Sequence, residues 1–230
     1  MNTVSIFCLL ATIICYLLGK KFYKKYPFVL FAPGIFVPII LVSGLVLFDI
    51  SYETYMYDSQ WLMWLLGPAT VAFAIPIYTY RAMIKKHAFA IGLGIVIGML
   101  AGIVSSFYLA KLFQFDSATS YSLMARSIST PFAMELTSNI GGSVELVILF
   151  TMITGTAGVV FGDLILAALK LNSHFAQGAS FGNSAHGFGT SHAFSRHTEE
   201  GVAACLTMVL AGVFMVLAGP FLIRWTVALL

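Results

Sequence analysis

The sequence predicts an all-α polytopic membrane protein with about seven to eight transmembrane segments, some discontinuous or re-entrant, arranged as a pseudo-two-fold inverted repeat. Three observations lead there. Only 9% of the 230 side chains are charged, 60% are hydrophobic, and mean hydropathy is +0.95. Soluble domains run at about 25% charged, so water cannot be the solvent over most of this surface. The apolar residues are gathered into runs near the ~20 residues that cross a bilayer. Finally, three of those runs are interrupted by Gly, Pro or clustered small polar residues that a lipid-facing helix could not accommodate.

The first segment, Val4 to Leu18, lacks a basic n-region and is followed by Lys20, Lys21, Lys24 and Lys25. It reads as a retained span with the N-terminus outside. Phe28 to Phe48 is the second, with Pro33 and Pro38 expected to bend it. Ala88 to Phe113, Val144 to Leu169 and Val202 to Leu230 complete the uninterrupted set. Cys8, Cys15 and Cys205 lie in apolar runs without metal spacing and serve as small hydrophobes.

Basic residues at 20–25 and 81–86 place those connections in the cytoplasm, opposite the acidic loop from Asp49 to Asp58. Extending the rule puts Lys170 and Arg224 inside and the Arg196 to Glu200 connection outside. The segment at 121–142 must then enter and leave on one side as a hairpin; if it crosses fully instead, the last three spans reverse. Residues 1–230 read as a single membrane domain. An offset of 114 residues aligns Gly44 with Gly158, Val46 with Val160 and Asp49 with Asp163, suggesting repeat halves at 1–114 and 115–230.

The interrupted segments carry the candidate chemistry. In Leu66 to Tyr78, Pro68 and Pro76 each free a helical carbonyl, Gly67 lets the chain turn, and Thr70 supplies a hydroxyl. In Ala125 to Glu135, Pro131 marks the start of a half-helix, with Thr130 as its N-cap and Ser129 before it. Free amides at such a start attract anions, and Arg126 is long enough to fork onto a carboxylate. Glu135, one turn on, is either a proton-carrying acid or a favourable charge near a helix start.

In Gly178 to His192, Asn183, Ser184, His186 and Thr190, with the amides of Gly187 and Gly189, could coordinate a small polar solute. Asp163 and His186 join Glu135 as candidate proton carriers, although Asp163 also fits a merely interfacial position. His174, His186, His192 and His197 show no spacing that pairs two imidazoles on one helix face, so no metal or other cofactor is expected, and no catalytic residues. Nucleic acid is excluded as a partner with the soluble classes.

The runs Ile50 to Tyr55, Gly67 to Tyr78, Arg126 to Met134 and Ser184 to Thr190 resemble the LrgB/CidB family of bacterial membrane proteins, which includes the YohK-type proteins and forms the C-terminal part of the plastid glycolate/glycerate transporter. The resemblance covers nearly the whole chain. It implies a multispanning protein described as holin- or antiholin-like and linked to murein hydrolase activity and lysis. It also implies kinship with transporters of small carboxylates such as pyruvate, glycolate or glycerate, and a small LrgA/CidA-type membrane partner in a homo- or hetero-oligomer. Where the family pattern carries a basic Arg, this chain has His192, a weaker anion anchor.

Two functions follow as expectations. One is a secondary transporter of small organic anions, favoured because the polar breaks concentrate in three places. The other is a holin-like pore or regulator of cell-wall hydrolases, which would line a channel between subunits.

Overall fold

The computed structural model describes residues 3–26, 28, 31–72 and 74–229, which form helices and no strands among them. The chain divides into two compact units, 1–71 and 72–230.

In the first unit, α1 (Thr3–Lys25) packs against α2 (Pro33–Leu47) and α3 (Tyr52–Trp64). The Ser5 hydroxyl bonds the Asp58 carboxylate at 2.5 Å, and the Thr12 and Tyr55 hydroxyls lie 3.1 Å apart. Ser51 caps α3 by accepting from the Thr54 amide. Pro33 does not bend α2 but begins it, because a first-turn proline forfeits no helical hydrogen bond. Pro38 does lie inside that helix. Beyond α3 come α4 (Leu66–Ala72), within which the two units divide, and α5 (Ala74–Thr79). Pro68 acts four residues upstream of itself, at Trp64, the last residue of α3, because a proline ring leaves no room for the carbonyl at that spacing. Gly67 and Pro68 thus sit in the first turn of α4, the turn itself falling at Leu65. The side chains of Thr70 and Pro76 lie outside the described residues.

The second unit continues with α6 (Arg81–Lys86), α7 (Ala88–Leu112), α8 (Ser117–Met124), α9 (Thr130–Ile140), α10 (Val144–Ala168), α11 (His174–Arg196) and α12 (Thr198–Leu229). Among the described residues, α1, α7, α10 and α12 are long and apolar enough to cross a membrane, and α2 is a shorter apolar helix. The larger number of crossings read from the sequence counted the interrupted segments. α12 is the centre of this unit: 67% of its apolar window is buried, against 22% for α7 and α10. Ile91, Ile95, Met99 and Ile103 make one face of α7, packed with Met124, Ile128, Leu136, Val147, Met215 and Ile223. Lipid tails are as apolar as these side chains, so close van der Waals fit and polar bonds hold the helices together.

Two of the elements are hairpins. The Ser122 hydroxyl of α8 donates to the Ser143 carbonyl and accepts from the Ser143 amide, so 122–143 begins and ends at the first turn of α10. α11 is two helices joined at His186, whose φ of 49° and ψ of −126° are non-helical. Its arms fold back on each other. Arg196 donates to the Gln177 side chain at 2.5 Å, although residues 19 apart in a straight helix are separated by roughly 28 Å. A Cβ on Gly189 would strike the Phe181 carbonyl of the opposite arm.

This fold-back corrects the topology expected for the second half. Lys170 and Arg196 line one cavity of about 430 Å³, and His174 bonds Glu200, so the segment from Phe175 to Phe194 does not cross. Arg224 lies towards the other end of the unit, where nearby Val227 lines a cavity with Lys111 and Tyr121.

Candidate functional site

The hairpins enter from opposite ends of α10 and their tips meet at its middle. α8 and α9, with 8 and 11 residues, are about 12 and 16 Å long, and the arms of α11 are similar. Each reaches roughly half-way through a ~30 Å hydrocarbon core. From the first hairpin, Arg126 Nε donates to Ser106 of α7 at 3.0 Å, and Nη1 donates to Thr154 of α10 at 2.9 Å. The Thr130 and Thr151 hydroxyls are 3.3 Å apart. From the second hairpin, the buried His186 ring lies close to the Ser127 backbone and to Arg126. α7 admits both tips by lacking side chains: Gly98 faces Asn183 and Gly102 faces Ser127. On α10, Gly155 and Gly158 do the same for Phe188 and Ala185.

Three buried polar atoms here have no protein partner: Ser129 Oγ, His186 Nε2 and Asn183 Oδ1. Leaving such groups unsatisfied costs about 1–3 kcal/mol each, so a polar solute would find bonds waiting. Ser129, rather than the expected Thr130, is the N-cap of α9, with Thr130 first in the helix and Pro131 second. The Ser129 hydroxyl makes no capping bond, which leaves the first amides of α9 facing outward from the helix start. Arg126 forms no ion pair among the described residues, and two of its five donors go to neutral hydroxyls. A half-buried cation without an acid, beside a helix N-terminus and unpaired polar atoms, suits a small anion.

The other sequence candidates divide. Asn183 reaches the site's edge, its amide donating to the Gly94 carbonyl at 3.1 Å. Thr190 is buried and bonds the His186 carbonyl at 2.8 Å, bracing the second arm. Gly189 serves the contact between arms. Ser184 and Gly187 are exposed, and the Ser184 hydroxyl is used by the Ser180 carbonyl. Glu135 is exposed and accepts from Asn139, away from Arg126.

Asp163 and His192 belong to a second polar cluster at the hairpin's open end. His192 Nε2 lies 2.8 Å from Asp163, which also pairs with Arg196. Arg196 forms an ion pair with the buried Glu200 at 2.9 Å, and Glu200 bonds His174 at 2.7 Å. His192 therefore does not stand at the tips as an anion anchor. His174 and His197, which linear spacing kept apart, stack at 4.1 Å because the hairpin brings its ends together.

Sequence reasoning passed over Ser106, Ser127, Thr151 and Thr154. The only signal was a few hydroxyl residues inside apolar spans, which most often bond their own helix, as Thr151 and Thr154 also do.

No solved structure matches the chain. Among known proteins, YwbG of Bacillus subtilis, described as uncharacterized, is 36% identical over 222 residues, covering 96% of this chain and 99% of the relative. The holin-like protein CidB of Staphylococcus epidermidis is 29% identical over 219 residues, covering 95% and 96%. CidB of Staphylococcus aureus is 28% identical over the same length and coverage. The model of the LrgB-like family matches residues 12–225, a span that contains both hairpins and every residue at their tips, and the chain belongs to that family.

Proposed function

We propose that this chain is a holin-like protein of the bacterial cytoplasmic membrane that acts on membrane permeability, and through it on murein hydrolase activity and lysis. One observation carries this reading: its similarity to proteins named holin-like runs through 95% of its length. A small LrgA/CidA-like membrane protein is the proposed partner, in a homo- or hetero-oligomer, with the N-terminus outside.

A second reading has its own support in the geometry. Arg126 without an acid partner, at the meeting of two opposed hairpins, suits a secondary transporter of small organic anions such as pyruvate, glycolate or glycerate.

Proteoliposomes loaded with dyes of graded size, with and without the partner, separate the two. Under the first reading dyes escape without saturation, and Arg126→Ala leaves escape unchanged. Tight vesicles with saturable uptake of labelled pyruvate or glycolate, lost in Arg126→Ala, would replace the first reading with the second.

A further inference from the structure

The contact between α10 and the α11 hairpin has an unusual composition. On α10 it is a line of glycines one turn apart: Gly155 against Phe188, Gly158 against Ala185, and Gly162 against Phe181. Along that line α10 contributes backbone and no side chains of its own, so the contact is a van der Waals fit of α11 side chains against it. Hydrogen bonds between the two elements converge on one residue among those described, Asp163, which receives His192 and Arg196 together. Towards α12 the hairpin is held differently. Gly178 and Gly182 bring its first arm onto the backbone of Glu200 and Ala204, the Thr207 hydroxyl bonds the Ala179 carbonyl, and Arg196 and His174 grip the buried Glu200.

We propose that the α11 hairpin, carried on the first part of α12, is a movable gate against α10, and that Asp163 latches it shut through His192 and Arg196. Releasing the latch lets the open end of the hairpin part from α10 and exposes the tip site to the side bearing Lys170. The placement of the latch favours this direction. Asp163 is 47% exposed and lines the cavity shared by Lys170, Gln177 and Arg196, so it is wet and can exchange partners. Glu200, the other partner of Arg196, is 2% exposed and stays fastened. His186 is the natural pivot, since its φ of 49° marks the one non-helical residue between the arms.

The gate needs only that the tips be a place to reach, so its test uses no solute and can fail while either outcome of the permeability assay stands. With the native cysteines replaced, Ser129→Cys places a thiol at the tip site. Labelling by a membrane-impermeant thiosulfonate is followed in inside-out and right-side-out vesicles. Asp163→Asn should accelerate labelling about tenfold or more from the Lys170 side alone. Arg196→Gln should do the same while Arg196→Lys stays near the parental rate, which keeps the test open if Asp163→Asn does not accumulate. Gly158→Leu, wedged against Ala185, should slow labelling. Unchanged rates in the latch variants, equal rates for Gln and Lys at Arg196, or acceleration from both sides would overturn the gate.

Discussion

At the residue scale, His186 shows how the protein uses a conformation that its side chain does not favour. A φ of 49° with ψ of −126° is outside the left-handed well open to ordinary residues, and such strain costs of order 1–3 kcal/mol. The ring's burial at the hairpin tip, beside the Ser127 backbone, offsets part of that cost. The two effects can be separated by substitution. His186→Ala loses the ring's packing and keeps the strain, whereas His186→Gly loses the packing and relieves the strain. Thermal unfolding in detergent should rank wild type above Gly and Gly above Ala, with Gly retaining about 1 kcal/mol more than Ala. Ala equal to or above Gly would mean that the backbone there is unstrained. Nothing in the sequence marked this position as a turn. The breaks at Pro68 and Pro131 were legible because proline lacks a donor and excludes a carbonyl in any surroundings. A histidine with positive φ is chosen by its tertiary partner, and Ser127 is 59 residues away in the chain.

At the element scale, the same residue type does opposite jobs in α7, α11 and α12. A Cβ on Gly182 would run into the Ala204 carbonyl and the Thr207 hydroxyl, and that backbone approach is what seats α11 on α12. Gly92, in α7, has open space around its would-be Cβ. Gly182→Ala should therefore destabilise by about 1–3 kcal/mol through overpacking. Gly92→Ala should be neutral or stabilise by up to about 1 kcal/mol, since alanine restricts the unfolded chain and favours helix. The paired melting temperatures check this, and equal shifts would show that the α11–α12 seat has slack. Long apolar runs made α7, α10 and α12 readable to within a few residues, because lipid demands uninterrupted helix wherever it touches the chain, whereas α1 continues past Leu18 through its lysines to Lys25. The α11 segment was readable as interrupted but not as folded back. Glycine density says that backbones come close without saying whether the neighbour is another helix or the segment's own other arm, and here Gly182 meets α12 while Gly189 meets Phe181.

At the scale of the whole second unit, the two hairpins decide which loops share a side. α6 with Arg81, Lys85 and Lys86 leads directly into His87, which stacks on Phe175 at 4.2 Å, so these cations stand at the open end of α11 with Lys170 and Arg196. The opposite end carries Lys111 and Arg224 against Asp116, Glu135 and Glu145. Cytoplasmic loops collect Lys and Arg, so the richer end belongs inside. The expectation that Arg196 faces outward came from applying that rule to a segment assumed to cross. Once α11 turns back at His186, the same rule gives the opposite side for Arg196 and moves Arg224 across. Single cysteines at Asn172, His197 and Leu229, in a background without Cys8, Cys15 and Cys205, test the arrangement through impermeant maleimide labelling of intact cells and inverted vesicles. Asn172→Cys and His197→Cys should react only in inverted vesicles, and Leu229→Cys only in intact cells. If Asn172→Cys and His197→Cys reacted from opposite faces, α11 would have to be a crossing helix. The convergence of its tip with Arg126 at mid-membrane would then be lost, since a straight α11 cannot bring Arg196 to Gln177 while holding His186 against Ser127.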